Sequence, residues 1–263
     1  MRANRLPWIQ GLRWVGEGLL ILRAAPLRLL ALNLAFFVAI SLAVAIPVVG
    51  FALVWLLIPA LVVGPHAMSR AAAQGVMPDL GMLLSGFRAN LAAQLRLGGV
   101  YLAAMMLVLA ASALADNGHF AQAMIGRARL EFADLRNAEI QQAMLIGAGL
   151  QTALLAALWY APLLVAWDGL SAAKAVFFSA ASTLINWRAL LVCGLAVTLL
   201  FALVLALALG GALLLAGAGN AQVNAAFFAA VWTLLPIWFA TSYLSYSDVF
   251  IADDEAGAMP QRR

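Results

Sequence analysis

Two histidines and one cysteine join eleven carboxylates as the chain's stock of metal-ligating side chains. They are not spaced for that work. His66 follows Pro65 and His119 follows Asn117-Gly118, and neither lies in a recognisable ligand pattern, so both read as isolated histidines near span ends. Cys193, inside an apolar run, is the sequence's single cysteine, and one thiol excludes an intramolecular disulfide and a cysteine-based structural zinc site. Nucleophile elbows, phosphate-cradling glycine loops and HExxH-type helices are absent, so the sequence assigns no catalytic, metal or cofactor residue and speaks against an enzyme of a familiar class. Two sets of polar residues remain. The first is a rim of Asp79, Arg88, Asn90, Arg96, Asp168, Lys174, Asn186, Arg188, Tyr246 and Asp248, which either anchors and caps helix ends or converges on a pocket for lipid headgroups or a cytosolic partner. The second is Asn33, Gln151 and Thr233, uncharged groups within apolar runs. They suit hydrogen bonding between helices or, alternatively, the lining of a polar path.

These residues need a membrane to position them. The chain has 263 residues, 66% hydrophobic and 10% charged, against roughly 45 to 50% apolar and about 25% charged for an ordinary soluble domain. The net charge of +4 does not signal nucleic acid, because the basic residues are scattered through short connecting segments. The first apolar stretch, 29–63, would be roughly 50 Å long as one helix, against a hydrocarbon core of about 30 Å. It must fold back, and Ile46-Pro47-Val48-Val49-Gly50 supplies the turn. Spans are expected at 29–46, 48–64, 97–115, 144–167, 188–219 and 224–246, the fifth being long enough that it tilts or loosens near Gly210-Gly211. Asp116-Asn117-Gly118 stops the third and Asp168-Gly169 the fourth. Ala43-Val44-Ala45 imitates a signal-peptidase site, but the apolar run continues straight past it and cleavage is not expected.

Six spans leave twelve basic residues on one side and three on the other, Arg127, Arg129 and Arg136. The positive-inside rule then makes both termini cytoplasmic and 116–143 the one substantial outside loop, containing a short helix over 127–142 with Arg127 and Glu131 paired. Ahead of each odd span lies an amphipathic stretch: Gly18 to Arg28, Gly81 to Leu91 and Ala175 to Arg188. In the second, Leu80, Leu84, Phe87, Leu91 and Leu95 share a face; in the third, Phe177, Ala180, Ala181 and Leu184 lie opposite Ser171, Lys174, Ser182 and Asn186. Each even span carries a proline, Pro59, Pro162 or Pro236. The repeating unit is an interfacial helix, a span, a hairpin and a proline-containing span. Trp159, Tyr160, Trp167, Trp187, Trp232 and Trp238 fit aromatic belts. Ala202, Ala206 and Gly210, and again Ala208, Ala212 and Ala216, form small-residue stripes in span 5, suited first to helix packing within the chain and second to homo-oligomer contact.

Trp159-Tyr-Ala-Pro-Leu-Leu-Val-Ala-Trp-Asp168, Lys174-Ala-Val-Phe-Phe-Ser179, Asn186-Trp-Arg188 and Tyr246-Ser-Asp-Val-Phe250 resemble an uncharacterised family of six-span proteobacterial inner-membrane proteins. The likeness covers most of 11–250. It implies an inner-membrane location and an all-helical fold, and carries no activity to any residue.

The expected protein is therefore an all-α integral membrane protein of six transmembrane helices in three hairpin units, each preceded by a cytoplasmic interfacial amphipathic helix. It forms one membrane domain over 1–263: a cytoplasmic segment 1–28, a bundle 29–246 and a cytoplasmic tail 247–263. Membrane lipids are its expected partners, with other membrane proteins or a second copy next and nucleic acid excluded. The leading functional reading is non-enzymatic, organising lipid or assembling membrane proteins at the cytoplasmic leaflet. The alternative is a permease or channel for a small or lipophilic solute.

Overall fold

A computed structural model describes residues 2–130, 134–216 and 219–251. In chain order the α-helices are α1 (Gln10–Ala24), α2 (Pro26–Val44), α3 (Val49–Ala73), α4 (Ser85–Arg88), α5 (Leu91–Asp116) and α6 (His119–Met124), then α7 (Ala138–Ala157), α8 (Ala161–Trp167), α9 (Ala172–Ile185), α10 (Trp187–Ala216) and α11 (Asn220–Val249). Short 3-10 turns lie at Leu80–Leu84 and Asp134–Arg136, and strands β1 (Arg2–Ala3) and β2 (Phe250–Ile251) pair antiparallel. Six segments are long and apolar enough to cross a membrane: Pro26–Val44, Val49–Ala73, Leu91–Asp116, Ala138–Trp167, Trp187–Leu214 and Ala221–Val249.

The local reasons are legible. Pro26 starts α2, where its missing N–H costs no helical bond. The chain turns between α2 and α3, and the left-handed residue there is Val48, at φ 63, and not Gly50. The Val48 amide donates to the Ile125 carbonyl at 2.8 Å, which holds a conformation that a β-branched residue rarely adopts. Gly50 is helical instead, and is needed because a Cβ there would collide with the Ala43 carbonyl. At the end of α5, Asn117 (φ 53) and Gly118 (φ 86) turn the chain, and the Asp116 carboxylate accepts from the amides of Gly118 (3.0 Å) and Phe120 (2.6 Å).

The chain forms two compact units, 1–35, 65–83 and 182–263 in the first, and 36–64 and 84–181 in the second. In the first, Trp14 and Val15 of α1 pack with Ala189, Cys193 and Val197 of α10, while Ile21, Ala25, Leu29, Met68, Ala72 and Ala240 form a second cluster. Gly11 lets α1 lie directly on the backbone of α10, since a Cβ there would strike the Ala189 carbonyl. In the second unit, α5 packs with α7, and Phe51, Met105, Val108 and Leu109 form a core closed by Trp55, Leu102 and Leu154.

Four sequence expectations change. The fourth span is two helices, α7 and α8, separated at Leu158–Tyr160. The fifth does not loosen at Gly210-Gly211, because α10 is continuous to Ala216; its backbone groups have no better partners in lipid than one another. The stretch 81–91 is no single amphipathic helix: a 3-10 turn and the one-turn α4 end at Arg88, and Asn90, at φ 49, breaks the run before α5. The outside-loop helix over 127–142 is absent at 127–130, where the chain bends, and resumes as α7 at Ala138; Glu131, its intended ion-pair partner, lies outside the described residues. So do Arg262 and Arg263 of the rim count, with most of the tail.

Candidate functional site

The rim residues singled out by type divide into those that clasp the chain and those that face outward. Asn186 and Asp248 are clasps, brought together by Asn4. The Asn186 side chain, 1% exposed, accepts from the Leu6 amide at 2.8 Å, donates to the Asn4 carbonyl at 2.9 Å and to the Ser182 carbonyl at 3.1 Å. The Asn4 side chain donates in turn to the Asp248 carbonyl at 3.3 Å, and the Asn4 amide to that of Val249 at 2.9 Å. The Asp248 carboxylate accepts from Gln10 Nε2 at 2.7 Å and Trp14 Nε1 at 2.8 Å. Trp14 is fully buried. Its indole N–H therefore needs a partner, and a carboxylate is a strong one. Tyr246 is buried, its ring 5.4 Å from that of Phe250. Asp248, Val249 and Phe250 thus hold residues 3–14 against the end of α11, and Asn186 holds them at the start of α10.

Arg188 is exposed in the same unit, its guanidinium 5.4 Å above the Trp187 ring. Arg88, Asn90, Arg96 and Lys174 of the second unit are also exposed, as is Asp79 of the first, which caps the 3-10 turn by accepting from the Met82 amide at 3.1 Å. Asp168 is the C-cap residue that follows α8. The rim does not gather into one pocket of either unit.

Asn33 and Thr233 bond to backbone one turn away. Asn33 Nδ2 donates to the Leu29 carbonyl at 2.8 Å, and its buried Oδ1 has no hydrogen-bond partner. Thr233 donates to the Ala229 carbonyl at 2.8 Å. Gln151 is half-buried on α7. Asn33 and Thr233 belong to the first unit and Gln151 to the second. In span 5, Ala202 and Ala206 are exposed, while Ala208, Gly210 and Ala212 are half-buried.

Two polar clusters escaped the sequence reading. The first surrounds the break in span 4. Proline at 162 cannot donate back to the Leu158 carbonyl; Tyr101 of α5 donates to that oxygen at 2.9 Å, beside the Ala161 amide at 3.1 Å. Ser179 of α9 accepts from the Tyr160 amide at 2.9 Å. Gln94 of α5, fully buried, donates to the Pro162 carbonyl at 3.0 Å, while its Oε1 has no hydrogen-bond partner. The second cluster is His66, which is no isolated interfacial histidine: it is buried, with Nε2 2.9 Å from the Ser242 hydroxyl and its ring edge-on to Phe239. His119 lies 4.0 Å from the Asp134 carboxylate. Among the described residues no three His, Cys, Asp or Glu side chains gather to hold a metal ion.

No family model matches the chain. It is, however, 33% identical over 249 residues to a probable inner membrane protein of Burkholderia thailandensis, an alignment covering 91% of this chain and 90% of the relative. The chain belongs to that protein's family. No solved structure matches. Membership makes this an inner-membrane protein of a family without a known function, in keeping with six apolar spans, and leaves the task to be argued from the residues above.

Proposed function

We propose that this is a non-enzymatic, multi-pass inner-membrane protein that organises anionic lipid, or assembles membrane proteins, at the cytoplasmic leaflet, with both termini cytoplasmic. One observation carries the reading: several polar side chains inside the spans are committed to backbone one turn away, whereas Arg88, Lys174, Arg188 and Trp187 at the span ends are exposed. Thr198, Thr233, Ser112 and the Asn33 amide each donate to a carbonyl three or four residues back. Arg88, Lys174, Arg188 and Trp187 face outward.

The amphipathic elements support this with one reversal. On α9 the polar residues Ser179, Ser182 and Thr183 are buried while Phe177, Leu184 and Ile185 are exposed, so its polar face meets protein and its apolar face meets acyl chains. On α1, Trp14, Gly18 and Ile21 are buried and Leu12, Leu20, Arg13 and Arg23 are exposed, the mixture that suits a helix lying at headgroup depth. Purification in mild detergent tests the proposal. Arg88→Ala and Lys174→Ala each lower the anionic phospholipid that stays bound, with insertion unchanged; lipid content equal to wild type overturns it.

A permease or channel for a small or lipophilic solute is the second reading, favoured by the break in span 4, because interrupted helices at membrane depth often mark transport sites. Aqueous thiol labelling of single cysteines at Asn33, Gln151 and Thr233 distinguishes it, because a solute route admits the reagent to all three.

A further inference from the structure

The clasp that holds the N-terminus also sets the depth of an otherwise unremarked basic residue. Asn186 bonds the residues on both sides of Arg5, through the Asn4 carbonyl and the Leu6 amide. Arg188 follows two residues after Asn186, at the beginning of α10, and that span opens at Trp187. Arg5 and Arg188 are therefore tied to one level, the boundary where a hydrophobic helix enters the membrane. Both are exposed, and Trp8 and Trp187 are 57% and 53% exposed beside them in sequence. Tryptophan at that level belongs to the headgroup region. The Asp248 carboxylate, bonded to the same strap, is already occupied by Gln10 and Trp14.

We infer that Arg5 and Arg188 form the two arms of a binding site for the phosphate of one anionic phospholipid of the cytoplasmic leaflet, with Trp8 and Trp187 flanking its glycerol region. The inference rests on the headgroup-level rim proposed above and adds a specific site to it. Guanidinium groups present paired N–H donors that match two phosphate oxygens. Backbone fixed by Asn186 on one side and the Arg188–Trp187 stacking on the other leave less to be ordered when the lipid arrives. Charge complementarity selects an anionic headgroup, and the exposed Leu184, Ile185 and Trp187 beside it select a lipid over a soluble anion.

The test uses the full chain in nanodiscs of phosphatidylcholine with increasing phosphatidylglycerol, read by native mass spectrometry. One phosphatidylglycerol is retained by the wild type; Arg5→Gln and Arg188→Gln each weaken that retention about fivefold, and the pair about 25-fold. Lysine at either position keeps the charge and gives an intermediate loss. Arg129→Gln, on the loop after α6, changes nothing. Two retained lipids, each lost with its own arginine, overturn the shared site. So does retention equal to wild type in both single variants, or a co-purifying protein lost in place of lipid. If Arg5→Gln and Arg188→Gln retain lipid while Arg88→Ala or Lys174→Ala lose it, the site falls and the broader rim proposal stands; if all four retain it, both fall.

Discussion

Asn186→Ala releases the N-terminal strap, by an amount the hydrogen bonds define. The native side chain makes three bonds, but the one to the Ser182 carbonyl stays within the α9–α10 connection and does not hold the strap. The two that do are to the Leu6 amide and the Asn4 carbonyl. At about 1 kcal/mol net each, their loss costs about 2 kcal/mol of local stability. That raises the open fraction of the strap about 30-fold without unfolding the helices. Hydrogen exchange at the Leu6 amide, measured by mass spectrometry on the protein in nanodiscs, reads this directly. The Gly118 amide, held by Asp116 in the other unit, is the internal control and keeps its wild-type rate. Asn186→Asp keeps an acceptor for Leu6 but sets a carboxylate oxygen against the Asn4 carbonyl, so it opens the strap at least as far. A Leu6 rate within threefold of wild type in Asn186→Ala would refute the clasp.

The remaining polar clusters give predictions of different sign. Tyr101→Phe strips one donor from the Leu158 carbonyl but leaves the Ala161 amide, so it lowers stability by about 1 kcal/mol, seen as a fall of a few degrees in Tm. Gln94→Leu removes a bond to the Pro162 carbonyl together with a buried oxygen that has no hydrogen-bond partner, and comes out within about 1 kcal/mol of wild type. Gln94→Glu at the same fully buried position introduces a carboxyl group and costs about 3 kcal/mol or more; a thermal shift no larger than that of Gln94→Leu would show the site to be wet. Ser242→Ala removes the partner of His66 across 176 positions of chain. Interhelical hydrogen bonds in membranes average about 0.6 kcal/mol, so its Tm falls by no more than a few degrees.

The spans were legible because hydrocarbon demands long apolar runs, and the Asp116-Asn117-Gly118 stop because its residues favour left-handed backbone. What the sequence hid depends on partners far along the chain. Pro162 was visible in span 4, but its break is supported by Gln94 and Tyr101 of α5 and Ser179 of α9, none near it in sequence. Asn186 and Asp248 stood out by type at the rim. Their role as a clasp required Asn4, Gln10 and Trp14, whose separations of up to 244 positions no periodicity reveals. His66 read as isolated for the same reason. Even Gly50, noticed as a turn former, serves close approach to the Ala43 carbonyl, which the five-residue pattern does not reveal.

The claim at the centre of this account is that the polar residues inside the spans serve structure and that the protein works at its rim. Single cysteines at Asn33, Gln151 and Thr233, placed in a Cys193→Ala background and treated with a membrane-impermeant maleimide from either side, test it most directly. All three remain unlabelled under the rim account; rapid labelling of all three from the aqueous phase would reveal a water-filled route through the bundle and contradict it.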